Sequence, residues 1–295
     1  MQIYSHWART TLKIGENEYG PFLLTAYTGS DESLAAAQAE GQLILQRRHA
    51  KLLAAEPLGG EYPVGSAPLR EQVEQRIHNS SGELIAAITR NRYGSLVLNA
   101  PRVMFLDVDD DDLRQPPPRE PFSLAQFFRN LFSTAPAPPP LPPLVPHEQL
   151  QLRLAAWLQL HPEWNFRVYR TRLGFRLLVT HQLLAPNSAE AQQIFAAMRT
   201  DAIYVRLCQN QDCYRARLSP KPWRIGWRRP KHPFPFDTPE QMREQQQWQQ
   251  EYTSRSQAFS VCDWVGEYGS GHTTPEARQL IELHDAACLG GQKLA

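Results

Sequence analysis

One stretch limits the folds open to this chain more than any other: Arg102, four apolar residues from Val103 to Leu106, then Asp107, Val108 and the acidic run Asp109 to Asp112. In a strand, successive side chains point to opposite faces, so Asp107 and Asp109 share one face and Leu106 and Val108 the other. Such a strand buries its apolar face in a sheet and carries two carboxylates side by side at its end. Neighbouring carboxylates repel unless a cation sits between them. Their oxygen donors suit Mg²⁺ or Mn²⁺. A solvated acidic turn leaving the sheet is the other reading of the same residues.

The chain has 295 residues, enough for one large domain or two small ones. Hydrophobic residues at 42% and charged residues at 21% describe an ordinary globular composition. No apolar run has the length of a bilayer span, and the N-terminus is polar where a signal peptide needs an apolar core. The expectation is a cytoplasmic protein with no membrane partner. Four cysteines, Cys208, Cys213, Cys262 and Cys288, are too few for a disulfide framework and are expected to be reduced. Cys208 and Cys213 form the pair whose spacing admits zinc. The net charge of +1 is unevenly spread, with acids gathered near 107–120 and bases near 199–231.

In chain order, residues 1–30 read as a pair of short strands, and an Ala-rich helix follows to about residue 55 with Ser30 as its N-cap. A Gly/Pro loop leads to a second, shorter helix over 69–79. Residues 84–89, 95–99 and 103–108 read as strands. Between the first two, Arg90, Arg92 and Tyr93 lie on a turn suited to a phosphate or a base, or to plain solvent. Residues 115–146 are proline-rich, with polyproline-type stretches around a short amphipathic helix bearing Phe127, Phe128 and Phe132. This insertion either packs its own anchor on the parent domain or docks a protein partner.

Beyond it, 148–160 has helical periodicity, and 164–181 reads as a hairpin turning at Arg172-Leu173-Gly174. A helix over 189–198 follows. Residues 206–229 are basic and aromatic, with Arg215, Arg217, Ser219 and Lys221 in one run, as on a phosphate-binding or nucleic-acid surface. A charged rim lying on the domain is the blander reading. Residues 237–258 read as a surface helix and 275–288 as another, in which His284 and Asp285 are adjacent and therefore diverge.

Taken together, this order resembles the archaeo-eukaryotic primase superfamily over roughly residues 84–230. The apolar strand ending in Asp107 and Asp109 matches that family's first motif. Its second, a small polar residue and a His beside a glycine hairpin, falls on Thr171, Gly174 and Arg176, with Arg176 where His stands in the family. Its third, an acidic residue, falls on Asp201. An Arg-rich strand and a Ser…Lys segment then follow, as in Arg215, Arg217, Ser219 and Lys221.

The resemblance implies an α+β fold with an RRM-like, largely antiparallel central sheet over 84–235. An N-terminal strand-and-helix extension would occupy 1–83 and a helical C-terminal cap 236–295. It further implies nucleotidyl transfer with Mg²⁺ or Mn²⁺ held by Asp107, Asp109 and Asp201. Arg90, Arg92, Thr171, Arg172, Arg176, Arg215, Arg217, Ser219 and Lys221 would contact a nucleotide or nucleic acid. Loss of the motif His leaves a second expectation, a binding protein on the same fold without catalysis. A third makes the chain an interaction scaffold working through its proline-rich segment.

Overall fold

The computed structural model describes residues 1–18, 20–57, 67–114 and 144–295. Residues 115–143 of the proline-rich insertion, with the helix expected around Phe127, Phe128 and Phe132, lie outside the described residues. Near the N-terminus, strands β1 (His6–Asn17) and β2 (Gly20–Ser30) form the expected antiparallel hairpin. Helix α1 (Leu34–Leu53) follows, capped by Ser33, whose hydroxyl accepts from the Ala36 N–H at 3.0 Å. The expected cap, Ser30, instead accepts from the Glu32 N–H in the turn before the helix.

The segment expected as a short helix over 69–79 is strand β3 (Gln72–His78). Val73 and Ile77 are four apart, which fits a helix face. They are also two pleats apart, and pairing with the next strand, β4 (Leu84–Arg90), decides between the two periods. A bulge between Val73 and Gln75 turns Glu74 toward Arg90, to which it pairs at 2.9 Å. β4 pairs antiparallel with β5 (Leu96–Ala100). The chain then crosses to a second sheet as β6 (Phe105–Asp109), followed by the one-turn helix α2 (Asp110–Leu113) and by α3 (Pro146–Leu160).

The hairpin of β7 (Asn165–Thr171) and β8 (Gly174–Val179) turns at Arg172 and Leu173 as expected, and β8 pairs antiparallel with β6. Gly174 is needed there for approach: a Cβ on it would meet the Val108 carbonyl oxygen of β6 at 2.1 Å. Helices α4 (Ala189–Met198) and α5 (Ala202–Gln211) lead to β9 (Tyr214–Arg217), which returns to the first sheet. That sheet is ordered β3-β4-β5-β9, and every pairing in it is antiparallel.

A 3₁₀ turn (Pro222–Ile225) and helix α6 (Pro239–Ser256) follow. The region 236–295, expected as a purely helical cap, also supplies β10 (Phe259–Ser260), β11 (Cys262–Gly269) and, after α7 (Pro275–Cys288), β12 (Lys293–Leu294). β11 completes the second sheet, ordered β11-β7-β8-β6 and likewise antiparallel. Its two glycines and a bulge at Trp264/Gly266 break the alternation that marks a strand in sequence. On α6, expected as a surface helix, Trp248 and Tyr252 are buried.

A single apolar cluster joins both sheets, running from Ile88 and Leu98 through Leu106 and Val108 to Leu177, with Leu150, Ile194 and Leu280 from the helices. Large-to-small changes at such positions cost about 2–5 kcal/mol. β6 and β9, the edges of the two sheets, lie beside each other, and the Arg176 guanidinium on β8 donates to the Arg217 carbonyl of β9 at 2.9 Å. No helix among the described residues is long and apolar enough to cross a membrane. The fold is α+β with mostly antiparallel sheets.

Candidate functional site

The seam where β6 meets β9 places acids from one sheet opposite bases from the other. Burying Leu106 and Val108 on one face of β6 leaves Asp107 half-buried and Asp109 exposed on the other. Asp201, the N-cap of α5, is fastened to them through its backbone N–H, which donates to the Asp107 carbonyl at 3.0 Å. Its Oδ1 accepts from the Ile203 N–H at 2.8 Å, and Oδ2 has no hydrogen-bond partner among the described residues. Neither the Asp107 nor the Asp109 carboxylate is hydrogen-bonded among the described residues.

Partial desolvation and the charges of Asp107, Asp201 and Asp112 push the Asp109 carboxyl up to about 6, against a smaller opposing pull from Lys221. The rest of the acidic run is divided. Asp110 is held bidentately by Arg170 at 2.6 and 2.7 Å, Asp111 pairs loosely with Arg114 at 3.3 Å, and all three acids from Asp110 to Asp112 open helix α2. Negative charge at a helix N-terminus is favourable there. The acidic-turn reading therefore describes Asp110 and Asp111, while Asp109 feels the charges of Asp107, Asp201 and Asp112. The carboxylates of Asp107, Asp109 and Asp201 nevertheless do not all lie within 4.8 Å of one another.

Across the seam, burial depresses the Arg217 guanidinium to about 10, and Arg176 and Arg224 press it further while Asp107 opposes them. Lys221 is lowered by burial and by Arg217 and Arg224. Arg224 is lowered by burial and by Arg172. Asp107 and Asp109 act on both Lys221 and Arg224. Four cations, Arg172, Arg217, Lys221 and Arg224, thus crowd one another beside crowded carboxylates. Among the described residues no ion pair within 4.0 Å joins the two sets.

The loop carrying Lys221 is firmly held. Ser219 Oγ accepts from the Leu96 N–H at 2.8 Å and lies 2.8 Å from the Tyr252 hydroxyl, while the Pro220 carbonyl accepts from the Tyr252 hydroxyl at 2.5 Å and from the Ser95 hydroxyl at 2.9 Å. Ser219 is buried in this scaffolding and places Lys221. Thr171 closes the hairpin opposite Gly174, and the exposed Arg172 beside it faces Arg224.

Other expected contacts are engaged elsewhere. Arg215 is held by both oxygens of Glu71 at 2.7 and 2.8 Å and by Gln211. Arg90 is buried, spanning Glu74 and the Gly94 carbonyl. Arg92 lies over the Tyr93 ring at the surface. Arg176, opposite Asp107 in the register, is buried, donating to the Arg217 carbonyl and lying 3.0 Å from His284 Nε2. Arg224, which sequence reasoning did not single out, joins the site because the 3₁₀ turn folds it back; the basic character of its neighbourhood was the available signal.

Behind Arg176 lies a second cluster. The ligand atoms of Cys262 on β11 and of His284 and Cys288 on α7 all lie within 4.8 Å of one another, and all three residues are buried. His284 Nδ1 lies 2.9 Å from Asp285 Oδ1, which also accepts from the Tyr169 hydroxyl at 2.7 Å, and Arg167 holds Oδ2 at 2.7 Å. This donor set is soft and suits Zn²⁺ better than Mg²⁺ or Mn²⁺. The Arg176 guanidinium already sits against it, 4.0 Å from Cys288 Sγ, supplying positive charge from within the chain. Among the described residues Cys208 and Cys213 gain no third ligand. No protein-family model matches the chain, and neither a curated protein nor a solved structure is similar enough to count as a match.

Proposed function

We propose that the chain is a metal-dependent nucleotidyltransferase of primase–polymerase type, on an RRM-like core. The observation that carries this reading is the seam itself: the Asp109 carboxyl, with raised proton affinity, faces guanidinium and ammonium groups with lowered proton affinity, and no ion pair within 4.0 Å joins the two sides among the described residues. Each set is destabilised by its own kind, as expected where a cation and a polyanion belong between them. The oxygens of Asp107, Asp109 and Asp201 are hard donors of the kind Mg²⁺ or Mn²⁺ takes. They do not all lie within 4.8 Å of one another, so a bound cation would have to draw them together. A divalent cation bound there supplies Lewis-acid stabilisation of charge on the reacting phosphate and the leaving pyrophosphate.

The chain's own cations do the rest. Arg217, Lys221 and Arg224 neutralise the triphosphate, and Arg172 approaches from the hairpin turn. A 3′-hydroxyl oxygen bonds to the α-phosphorus, the bond from that phosphorus to the bridging oxygen breaks, and pyrophosphate departs toward the basic side. The hydroxyl proton passes to a carboxylate of the acidic set.

The test is incorporation of labelled nucleotide on a primed template with Mn²⁺. Asp107→Ala with Asp109→Ala abolishes incorporation while the protein melts as the parent does or higher; undiminished incorporation refutes the reading. Arg176 favours a second reading, nucleotide binding without transfer, because the residue at the motif His position is turned into the core. Thermal stabilisation by nucleotide that needs no divalent cation, with no incorporation, identifies that case.

A further inference from the structure

Beside Lys221 an aromatic and basic surface lies outside the seam. The Tyr93 and Trp223 rings meet edge to face, with centroids 5.2 Å apart. The Arg229 guanidinium lies over both, 4.9 Å from the Tyr93 centroid and 4.7 Å from that of Trp223. The Lys221 ammonium is 5.6 Å from the Trp223 centroid, so the platform begins where the seam ends. Arg92 adds a third cation, over Tyr93, and Arg228 is exposed next to Arg229.

Two features set this surface apart from a self-contained structural cluster. Trp223 is 42% exposed, although an indole gains stability by burial. Arg92, Lys221, Arg228 and Arg229 have no carboxylate within 4.0 Å among the described residues, whereas neighbouring Lys231 is paired with Glu244 at 3.0 Å. The support is also rigid. Asn91 Oδ1 accepts from the N–H groups of Tyr93 and Ser95, and Gly94 takes φ +84° with its α-carbon against Trp248. The Trp227 N–H closes the 3₁₀ turn on the Pro222 carbonyl at 2.9 Å.

We infer that Trp223, Tyr93 and Arg229 hold a single-stranded nucleic acid, its bases stacked on Trp223 and its phosphates along Arg92, Arg228 and Arg229, as the template of the transfer reaction proposed above, on which the template role rests. An exposed indole beside unpaired guanidinium groups suits a strand whose bases are free to stack, because the faces of paired bases are covered within a duplex. Lys221, shared by platform and seam, sets the stacked base next to the reacting one.

The test is fluorescence anisotropy with 5′-labelled 15-nucleotide DNA, RNA and duplex DNA, on the full chain without divalent cation. Single strands bind, more weakly at higher salt, and duplex binds less well. Trp223→Ala and Arg229→Ala each weaken single-strand binding about tenfold, and Trp223→Phe restores most of it. The DNA and RNA arms rank the two backbones. Asp107→Ala with Asp109→Ala keeps the binding, which separates this inference from the catalytic one. Retained binding in that variant, with loss in Trp223→Ala, supports the platform even if no incorporation is ever detected. Failure of the parent to bind single strands, equal binding of duplex, or parental binding by both Trp223→Ala and Arg229→Ala overturns it.

Discussion

The backbone N–H of Asp201 donates to the backbone carbonyl of Asp107 at 3.0 Å, so the start of helix α5 is fastened to the strand that carries the acidic pair. Asp201 thereby has two separable roles, one in capping and one in charge. Asp201→Ala removes both: the cap on the Ile203 N–H is lost, at about 0.5–2 kcal/mol, together with any response to Mn²⁺. Asp201→Asn keeps a capping oxygen and hence most of the stability, yet still loses the metal response. Denaturant melts with and without Mn²⁺ separate the two.

The Asp109 carboxyl gives the site a pH signature. Its folded value of about 6 lies above its value in the unfolded chain, so its charged form is disfavoured by folding. The resulting destabilisation is present above about 6 and disappears as pH falls through that value toward the ordinary carboxylate range. Asp109→Asn accordingly raises the melting temperature at pH 7.5 and flattens the pH dependence. Stabilisation by Mn²⁺ needs the carboxylate and shrinks on acidification below about 6. Differential scanning fluorimetry across pH, with and without Mn²⁺, checks both statements.

Arg176, expected to contact a phosphate, has surroundings that belong to the core. Burial works against its charge, and the Cys288 and Cys262 sulfurs together with Asp107 outweigh that burial. Arg176→His therefore does not restore a phosphate contact. It removes the donor to the Arg217 carbonyl and leaves a sulfur-rich pocket without its cation. Leaving that partly buried carbonyl without its donor costs about 1–3 kcal/mol. Urea denaturation reports the loss, and nucleotide incorporation does not rise in the variant.

Arg176 also illustrates what the sequence could not convey. The acidic strand is legible because its period of two is unbroken and its apolar half is strongly apolar, and the hairpin beside it is legible for the same reason. Arg215 and Arg217 have the same parity on one strand. They part because Glu71, 144 positions away, captures the first and leaves the second beside Asp107. His284 and Cys288 share one face of α7 through their four-residue spacing, but Cys262 joins them only through the sheet that β11 completes. Local periodicity is printed in the chain, whereas which charge meets which is decided by strand order.

Tyr252 tests whether helix α6 takes part in positioning the site. Its hydroxyl donates to the Pro220 carbonyl at 2.5 Å and lies 2.8 Å from Ser219 Oγ, and both residues belong to the loop that ends at Lys221. Tyr252→Phe keeps the ring stacked on Trp248 and removes only the hydroxyl. The loss of that bond costs about 0.5–1.5 kcal/mol. Because Lys221 lies on the basic side of the seam, loosening its loop raises the KM for nucleotide more than it lowers kcat. A purely structural role for Tyr252 leaves both unchanged once the variant is assayed well below its melting temperature. Steady-state incorporation over a range of nucleotide concentrations, paired with a melt, distinguishes the two. A tyrosine 33 residues away in sequence then reads out as part of the phosphate-binding apparatus.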